Sequence, residues 1–444
     1  MVFETFAAAN ATLIWSTFII ALIMGALVNK TNFCTMGAVS DVVNMGDWGR
    51  MRAWLLAIGV AVLGVALLES LSMVNPDQAF PPYRMGQLLL AENILGGLLF
   101  GIGMTLASGC GNKTLIRIGG GNLKSIVVFL IIGVIAYYMI NPIKGDQTLM
   151  SMLFFDWIRP MSISLSTHQD LGAIVGGESA GTARLIIGLI VALGVLAFVF
   201  KSGEFRSSFD NVLGGLVVGI AVLGAWYVTS NIVLNYEYDE QEVSMSARDF
   251  VDTGAASPMN EANWPAMASF GDDEGAAVLE GWTADRPSVQ AMSPQSFTFI
   301  NPMGQTVGYF GSGFDRNFVG FGVMAVFGVI LGSFLWAIIS KGFRFEWFSS
   351  VRDFVNHFIG AILMGFGGVL AMGCTLGQAV TGISTLAVGS ILTFISIVLG
   401  SALTMKVQYY KMVYEEEATF AKALVAGLCD MKLLPNGLRK LDKV

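Results

Sequence analysis

Three short segments set a lone cysteine beside glycine or a small polar residue just after an apolar run: Asn32-Phe33-Cys34-Thr35, Ser108-Gly109-Cys110-Gly111 and Met372-Gly373-Cys374-Thr375. None has a partner cysteine nearby in sequence, so they make neither a C-x-x-C metal site nor a disulfide framework. A thiol in a dry, apolar surround stays protonated, and a neutral S–H is a weak donor. Such thiols, spaced along a path, could pass on a guest with a soft, electron-rich atom by contacts that are made and released, whereas thiolates would repel an anion. Weak binding suits passage, because each stop must release what it catches. Anion selection would come from half-helix starts after Gly109 and Gly373, whose backbone N–H groups form the positive end of a dipole. Asn112, Thr375 and Gln378 could add neutral donors. Lys113 and Arg117 could attract an anion to one mouth, although Arg117 is equally plausible as a topology or headgroup anchor.

The composition puts these cysteines inside a bilayer. The chain of 444 residues is 54% hydrophobic and 13% charged, with 53 glycines and a mean hydropathy of +0.67, far from a soluble average. Nine apolar stretches are long enough to cross a hydrocarbon core, which needs roughly 20 helical residues. They lie near 11–29, 53–74, 88–107, 125–141, 182–200, 211–234, 318–340, 354–373 and 385–405. The fold class read from this is an all-α polytopic membrane protein. The first stretch is not read as a cleaved signal, because its flank carries Glu4 and no Lys or Arg.

Lys and Arg fix the orientation. With the N-terminus outside, the inside segments hold eighteen of the 25, seven of them in the C-terminal tail, and the longer outside segments hold seven. The expectation is N-terminus out and C-terminus in. The longest outside segment, Asn235 to Asn317, carries twelve Asp or Glu between Glu237 and Asp285 and reads as a solvated acidic insertion. The loop from Asn141 to Gly181, with Phe154-Phe155-Asp156-Trp157, is expected to lie partly in the membrane interface.

A repeat organises the chain. Residues 95–110 align with 359–374 at eight identities in sixteen positions, including Gly101/Gly365, Gly103/Gly367, Gly109/Gly373 and Cys110/Cys374. Helix packing through small residues could account for the glycines, but not for the cysteine and the break after it. The segments Gly111–Gly121 and Thr375–Thr385 are too polar and glycine-rich for ordinary spans and read as re-entrant or broken-helix elements, which need protein around them or a cavity. On this topology Cys110 ends a span running inward and Cys374 one running outward, so the repeat is inverted and the two cysteines face one another from opposite sides. Inverted repeats with interrupted helices mark transporters. A weaker match pairs Asn32–Thr35 with Trp226-Tyr227-Val228-Thr229, giving Cys34 a Val228 counterpart. The division follows: 1–140 as the first membrane half, 141–210 as an outside loop and linking span, 211–405 as the second half with the insertion 235–317, and 406–444 as a cytoplasmic tail.

The segments around Cys34, Cys110, Trp226 and Cys374 together resemble the YeeE/YedE sulphur-transport family of bacterial inner-membrane proteins, over roughly residues 15–140 and 185–405. The resemblance implies uptake of thiosulfate or a related sulfur anion, with Cys34, Cys110 and Cys374 as the thiols that matter. It also implies a small cytoplasmic sulfur-carrier protein as partner. The insertion and the long C-terminus depart from compact members and bear on substrate identity. The expected route runs from outside through Cys374 or Cys34 and then Cys110.

Other classes fare worse. His168 and His357 are far apart, so no metal site is expected, and the 23 methionines form no M-x-x-M cluster. No cofactor motif is present: Gly119-Gly120-Gly121 lacks the nucleotide-binding spacing. With a net charge of −7 there is no basic stripe for nucleic acid. A membrane thiol-redox or sulfur-transfer module using Cys110 and Cys374 is the second reading, and a passive anion channel the third. Inward movement of a dianion against an inside-negative potential costs about 4.6 kcal/mol per 100 mV. The candidate membrane carboxylates are Asp41, Glu69 and Glu92, of which Glu69 lies deepest and Asp41 and Glu92 at helix ends. Cys429, in the tail, is read as incidental.

Overall fold

The computed structural model describes residues 1–3, 6–143, 147–238, 241–246, 293–315, 318–415, 417–439 and 441. Among them, nine helices are long and apolar enough to cross a membrane. Two groups of four have equivalent order: Phe6–Thr31, Gly49–Ser70, Leu90–Leu106 and Leu123–Ile140 in the first half, and Phe209–Ser230, Phe321–Ile339, Val351–Leu370 and Val388–Val413 in the second. Ala180–Phe200 links them. Each helix is thus five crossings from its counterpart, and an odd number turns the second group upside down.

The packing obeys the same exchange. Phe6–Thr31 packs along Phe321–Ile339 as Phe209–Ser230 packs along Gly49–Ser70; Leu90–Leu106 packs on Val388–Val413 as Val351–Leu370 packs on Leu123–Ile140. The two self-paired contacts, Leu90–Leu106 on Val351–Leu370 and Phe6–Thr31 on Phe209–Ser230, lie where a pseudo-two-fold axis must pass. At the first of these, glycine lets the backbones touch. A Cβ at Gly96 would stand 2.8 Å from Gly367 O, and one at Gly103 2.5 Å from Gly360 O. Without a hydrophobic drive inside lipid, such close packing is a main source of helix association.

Three spans are broken rather than continuous, and each break sits at a cysteine. Short helices Thr35–Ser40 and Gly111–Gly119 follow Cys34 and Cys110, and a π-helical turn Gly377–Gly382 lies just after Cys374. The segments 111–121 and 375–385, read from the sequence as re-entrant or broken-helix elements, are thus interrupted helices. A fourth break was not foreseen. The stretch assigned to the end of the outside insertion packs among the helices: Gln295–Phe299 lies beside Phe209–Ser230, with Thr229 Oγ1 donating to Gln295 O at 2.8 Å and Ser296 Oγ to Val222 O at 2.9 Å. It then opens the helix Ile300–Gly311, packed on Leu123–Ile140. Buried Phe297, Phe299, Ile300 and Met303 are the reason, because the apolar run Phe297–Met303 is too short to read as a span and too apolar to stay in water. Of the acidic insertion, 239–240, 247–292 and 316–317 fall outside the described residues. The loop before the linking span also holds a short buried-end helix, Leu171–Gly176, against Ala180–Phe200.

The ninth helix runs on to Val413, past the start of the expected tail at 406, and Phe420–Asp430 packs back on it. Strand content is small. Val2–Phe3 pairs in parallel with Val233–Tyr238, which pairs antiparallel with Gln241–Ser246, and Gln87–Leu88 pairs antiparallel with Ile163–Ser164.

Candidate functional site

One backbone device is used three times. Two residues before each cysteine the chain turns left-handed, at Asn32 (φ 49°), Ser108 (φ 58°) and Met372 (φ 54°). The following amide closes back five residues: Phe33 N to Val28 O at 3.3 Å, Gly109 N to Met104 O at 2.9 Å, Gly373 N to Gly368 O at 2.8 Å. This is the Schellman closure that satisfies the last carbonyls of a helix. Each cysteine then caps a new helix, its carbonyl accepting from Ala38 N (3.0 Å), Thr114 N (2.9 Å) or Gln378 N (2.8 Å). The left-handed residues are Ser108 and Met372, not the neighbouring glycines. Gly109 and Gly373 are there for closeness: an added Cβ would stand 3.2 Å from Lys113 Cβ and 3.2 Å from Thr298 Oγ1 respectively. At the fourth break Phe299 takes the capping position, its carbonyl accepting from Met303 N at 3.2 Å. Phe299, rather than Val228, is the counterpart of Cys34, because Val228 lies within the helix Phe209–Ser230.

These four helix starts meet in the interior. Thr35 Oγ1 donates to Thr375 Oγ1 at 3.0 Å and lies 3.9 Å from Cys110 Sγ, so residues from three breaks touch. A Cβ at Gly111 would stand 3.6 Å from Cys374 Cβ and 3.4 Å from Ile300 Cδ1. Cys110 and Cys374 are therefore neighbours rather than thiols on opposite sides. Cys110 thus has neighbours from both other cysteine breaks, Thr35 beside Cys34 on one side and Cys374 itself across Gly111. All three cysteines are buried and free, as is Cys429. Gly377 N donates to Cys374 Sγ at 3.5 Å, a thiol capping its own helix. Helix dipoles from several starts aim their positive ends at this cluster, a setting suited to negative charge.

Of the expected neutral donors, Thr375 is in the cluster. Gln378 is present but differently used: its Nε2 donates to Ala371 O, leaving Oε1, an acceptor, without a partner among the described residues. Asn112 is buried with Oδ1 likewise unpartnered. Thr35 was missed; the Cys-Thr pair shared by 34–35 and 374–375 was the available signal. Lys113 Nζ donates to Asn32 Oδ1, and Arg117 Nη1 would be 3.9 Å from a Cβ at Gly109. Arg50, read from sequence as a topology charge only, overlies Gly37 beside Cys34 and pairs with Asp41 at 2.6 and 2.9 Å. Arg50, Lys113 and Arg117 thus stand at one end of the cysteine series.

The other end is closed by an ion-pair network. Arg84 donates to Glu69 Oε1 (2.7 Å) and Oε2 (2.9 Å), Asp77 (3.1 Å) and the Thr385 carbonyl (2.7 Å); Arg184 reaches Glu69 (3.1 Å), Asp77 (3.0 Å) and Asp170 (2.9 and 2.8 Å). His168 Nδ1 donates to Arg84 O at 2.7 Å. Burial alone would raise the carboxyls of Asp77 and Asp170, but the two guanidiniums win and hold both below the usual carboxylate range. Glu69 is therefore a paired structural group. Asp41 is paired too, and Glu92 faces Arg159 Nε at 3.5 Å. No group of three metal-capable side chains occurs among the described residues.

The sulphur transport family model matches this chain over residues 30–279 and 274–403. Curated relatives include the thiosulfate transporter TsuA of Spirochaeta thermophila, 23% identical over 398 residues, covering 88% of this chain and 97% of that protein. The thiosulfate transporter TsuA of Escherichia coli is 23% identical over 370 residues, covering 83% and 86%.

Proposed function

The chain belongs to the sulphur transport family, and from that premise we propose that it carries thiosulfate across a membrane along the series Cys374, Cys110, Cys34. The observation that supports the reading most is the meeting of the Cys110, Thr35 and Thr375 side chains at the starts of three half-helices. Terminal sulfur would move between neutral thiols, while backbone amides and hydroxyls replace water around the oxygens. Thr35 and Thr375 bridge the gap across which the guest must be handed on.

The route differs from the sequence expectation, because Cys34 stands beside Lys113, Asn32 and Arg50 and so belongs after Cys110 rather than before it. The excess of Lys and Arg on one set of loops puts that end in the cytoplasm and the Arg84 end outside, in what would be a bacterial inner membrane. Arg50, Lys113 and Arg117 would draw the dianion inward, and a cytoplasmic sulfur acceptor that consumes it would keep the flow inward against the potential.

The test is uptake of labelled thiosulfate by proteoliposomes. Cys110→Ala and Cys374→Ala are expected to lower uptake at least tenfold with unchanged disulfide state. Wild-type uptake by both variants would sink the thiol route. Turnover-dependent trapping of a disulfide or a covalent sulfur adduct would favour a sulfur-transfer enzyme.

A further inference from the structure

We propose that the hydroxyls of Thr298 and Tyr83 form the oxyanion-holding half of a substrate subsite whose other half is the Cys374 thiol. This rests on the transport reading above and deepens it by assigning two specificity-determining residues.

Both hydroxyls are buried, Thr298 at 5% and Tyr83 at 1% exposure, and neither has a hydrogen-bond partner among the described residues. Buried polar groups are nearly always paired, so two orphan donors packed on the turn that follows one thiol call for a guest that accepts. Thr298 is placed by its neighbours: Phe297 and Phe299 stack with ring centroids 6.2 Å apart and planes at 13°. Its Oγ1 hangs over Gly373 and Gly377, the turn that carries Cys374, and would be 3.2 Å from a Cβ on Gly373. The ring of Tyr83 packs on the same π-helical turn, 3.1 Å from a Cβ on Gly382 at its far end. It is held there by the next residue, Arg84, whose guanidinium is pinned to Glu69, Asp77 and the Thr385 carbonyl.

The chemistry divides by softness. A thiol is a poor donor that suits a polarisable sulfur, whereas O–H groups are strong donors that suit hard oxygens. A site with both recognises an anion that has a terminal sulfur on one side and sulfonyl oxygens on the other. Sulfate lacks the first and hydrosulfide the second. A further orphan on the same turn, Gln378 Oε1, accepts only and would turn from an oxyanion. It fits beside a thiol proton instead.

The isosteric variants Tyr83→Phe and Thr298→Val remove the O–H and keep the shape. In proteoliposomes each should raise the KM for labelled thiosulfate about tenfold, the scale of a lost hydrogen bond to a charged group, with the maximal rate held within about twofold. The thiosulfate-induced rise in Tm of the purified protein should shrink, the ligand-free Tm should stay, and inhibition by hydrosulfide should be unchanged. Wild-type KM and wild-type Tm shift in both variants overturn the proposal. So does a maximal rate that falls together with the ligand-free Tm, which a packing role alone would produce. If Cys374→Ala abolishes uptake while both hydroxyl variants keep wild-type KM, this inference alone fails. If the wild-type protein neither takes up thiosulfate nor is stabilised by it, the transport reading fails and this inference with it.

Discussion

The two ends of the cysteine series handle positive charge in opposite ways. At the Tyr83 end, Arg84 and Arg184 are saturated by Glu69, Asp77 and Asp170, and the side chain of Arg84 is only 1% exposed. At the Cys34 end, Arg50 has one carboxylate partner and a side chain 38% exposed, and Lys113 donates to a neutral amide. Cations matched by carboxylates in a buried network hold chain segments together. Cations left in excess at a mouth set a potential. The first arrangement therefore builds the structure, and the second suits an anion that must be drawn through.

Removing a cation at each end separates the two roles. The largest effect belongs to Arg84→Met, which leaves Glu69 and Asp77 facing a single guanidinium and frees the Thr385 carbonyl. Breaking a buried pair this way costs about 3–5 kcal/mol, seen as a large drop in Tm and loss of folded protein on size exclusion. A Tm unchanged by this substitution would erase the contrast. At the other end, Lys113→Gln with Arg117→Gln should leave Tm nearly unchanged and raise the KM for thiosulfate a few-fold, an effect that fades as ionic strength shortens the Debye length. A KM shift insensitive to salt would mean direct coordination rather than attraction.

The smallest effect comes from pH. Asp77 and Asp170 are held below their unfolded value, so the stability they add is fully present above that value, near 3.8, and is lost as pH falls through their lower folded values. Thermal stability should be flat from about pH 5 to 8 as far as these groups go, then fall in acid. Their double replacement by Asn should remove that acid limb, and its persistence would show that other carboxyls set it.

Much of this was legible early because it is written in local patterns. Nine apolar runs, the glycine-rich crossing helices and the Gly-Cys breaks after 109 and 373 all have a sequence period or a motif. The segment Gln295–Gly311 escaped because twelve residues of helix are shorter than a span and follow a long acidic stretch, which made them look extramembrane. Phe299 escaped for a related reason: a capping position shared with three cysteines has no residue type in common with them. Gln378 was found but misjudged, since only the fold brings its amide N–H to Ala371 O. Tyr83 and Thr298 carry no motif, and their orphan hydroxyls exist only once neighbours have excluded water.

The sequence by itself determined the membrane class, the repeat, its inversion through an odd number of crossings, and three cysteines at breaks, because hydropathy, parity and turn chemistry act within a few residues or a single span. Tertiary structure decided which residues meet. Contacts such as Thr35 with Thr375, 340 positions apart, depend on how the two halves pack across their pseudo-two-fold axis. So does the pairing of the charges around Arg84.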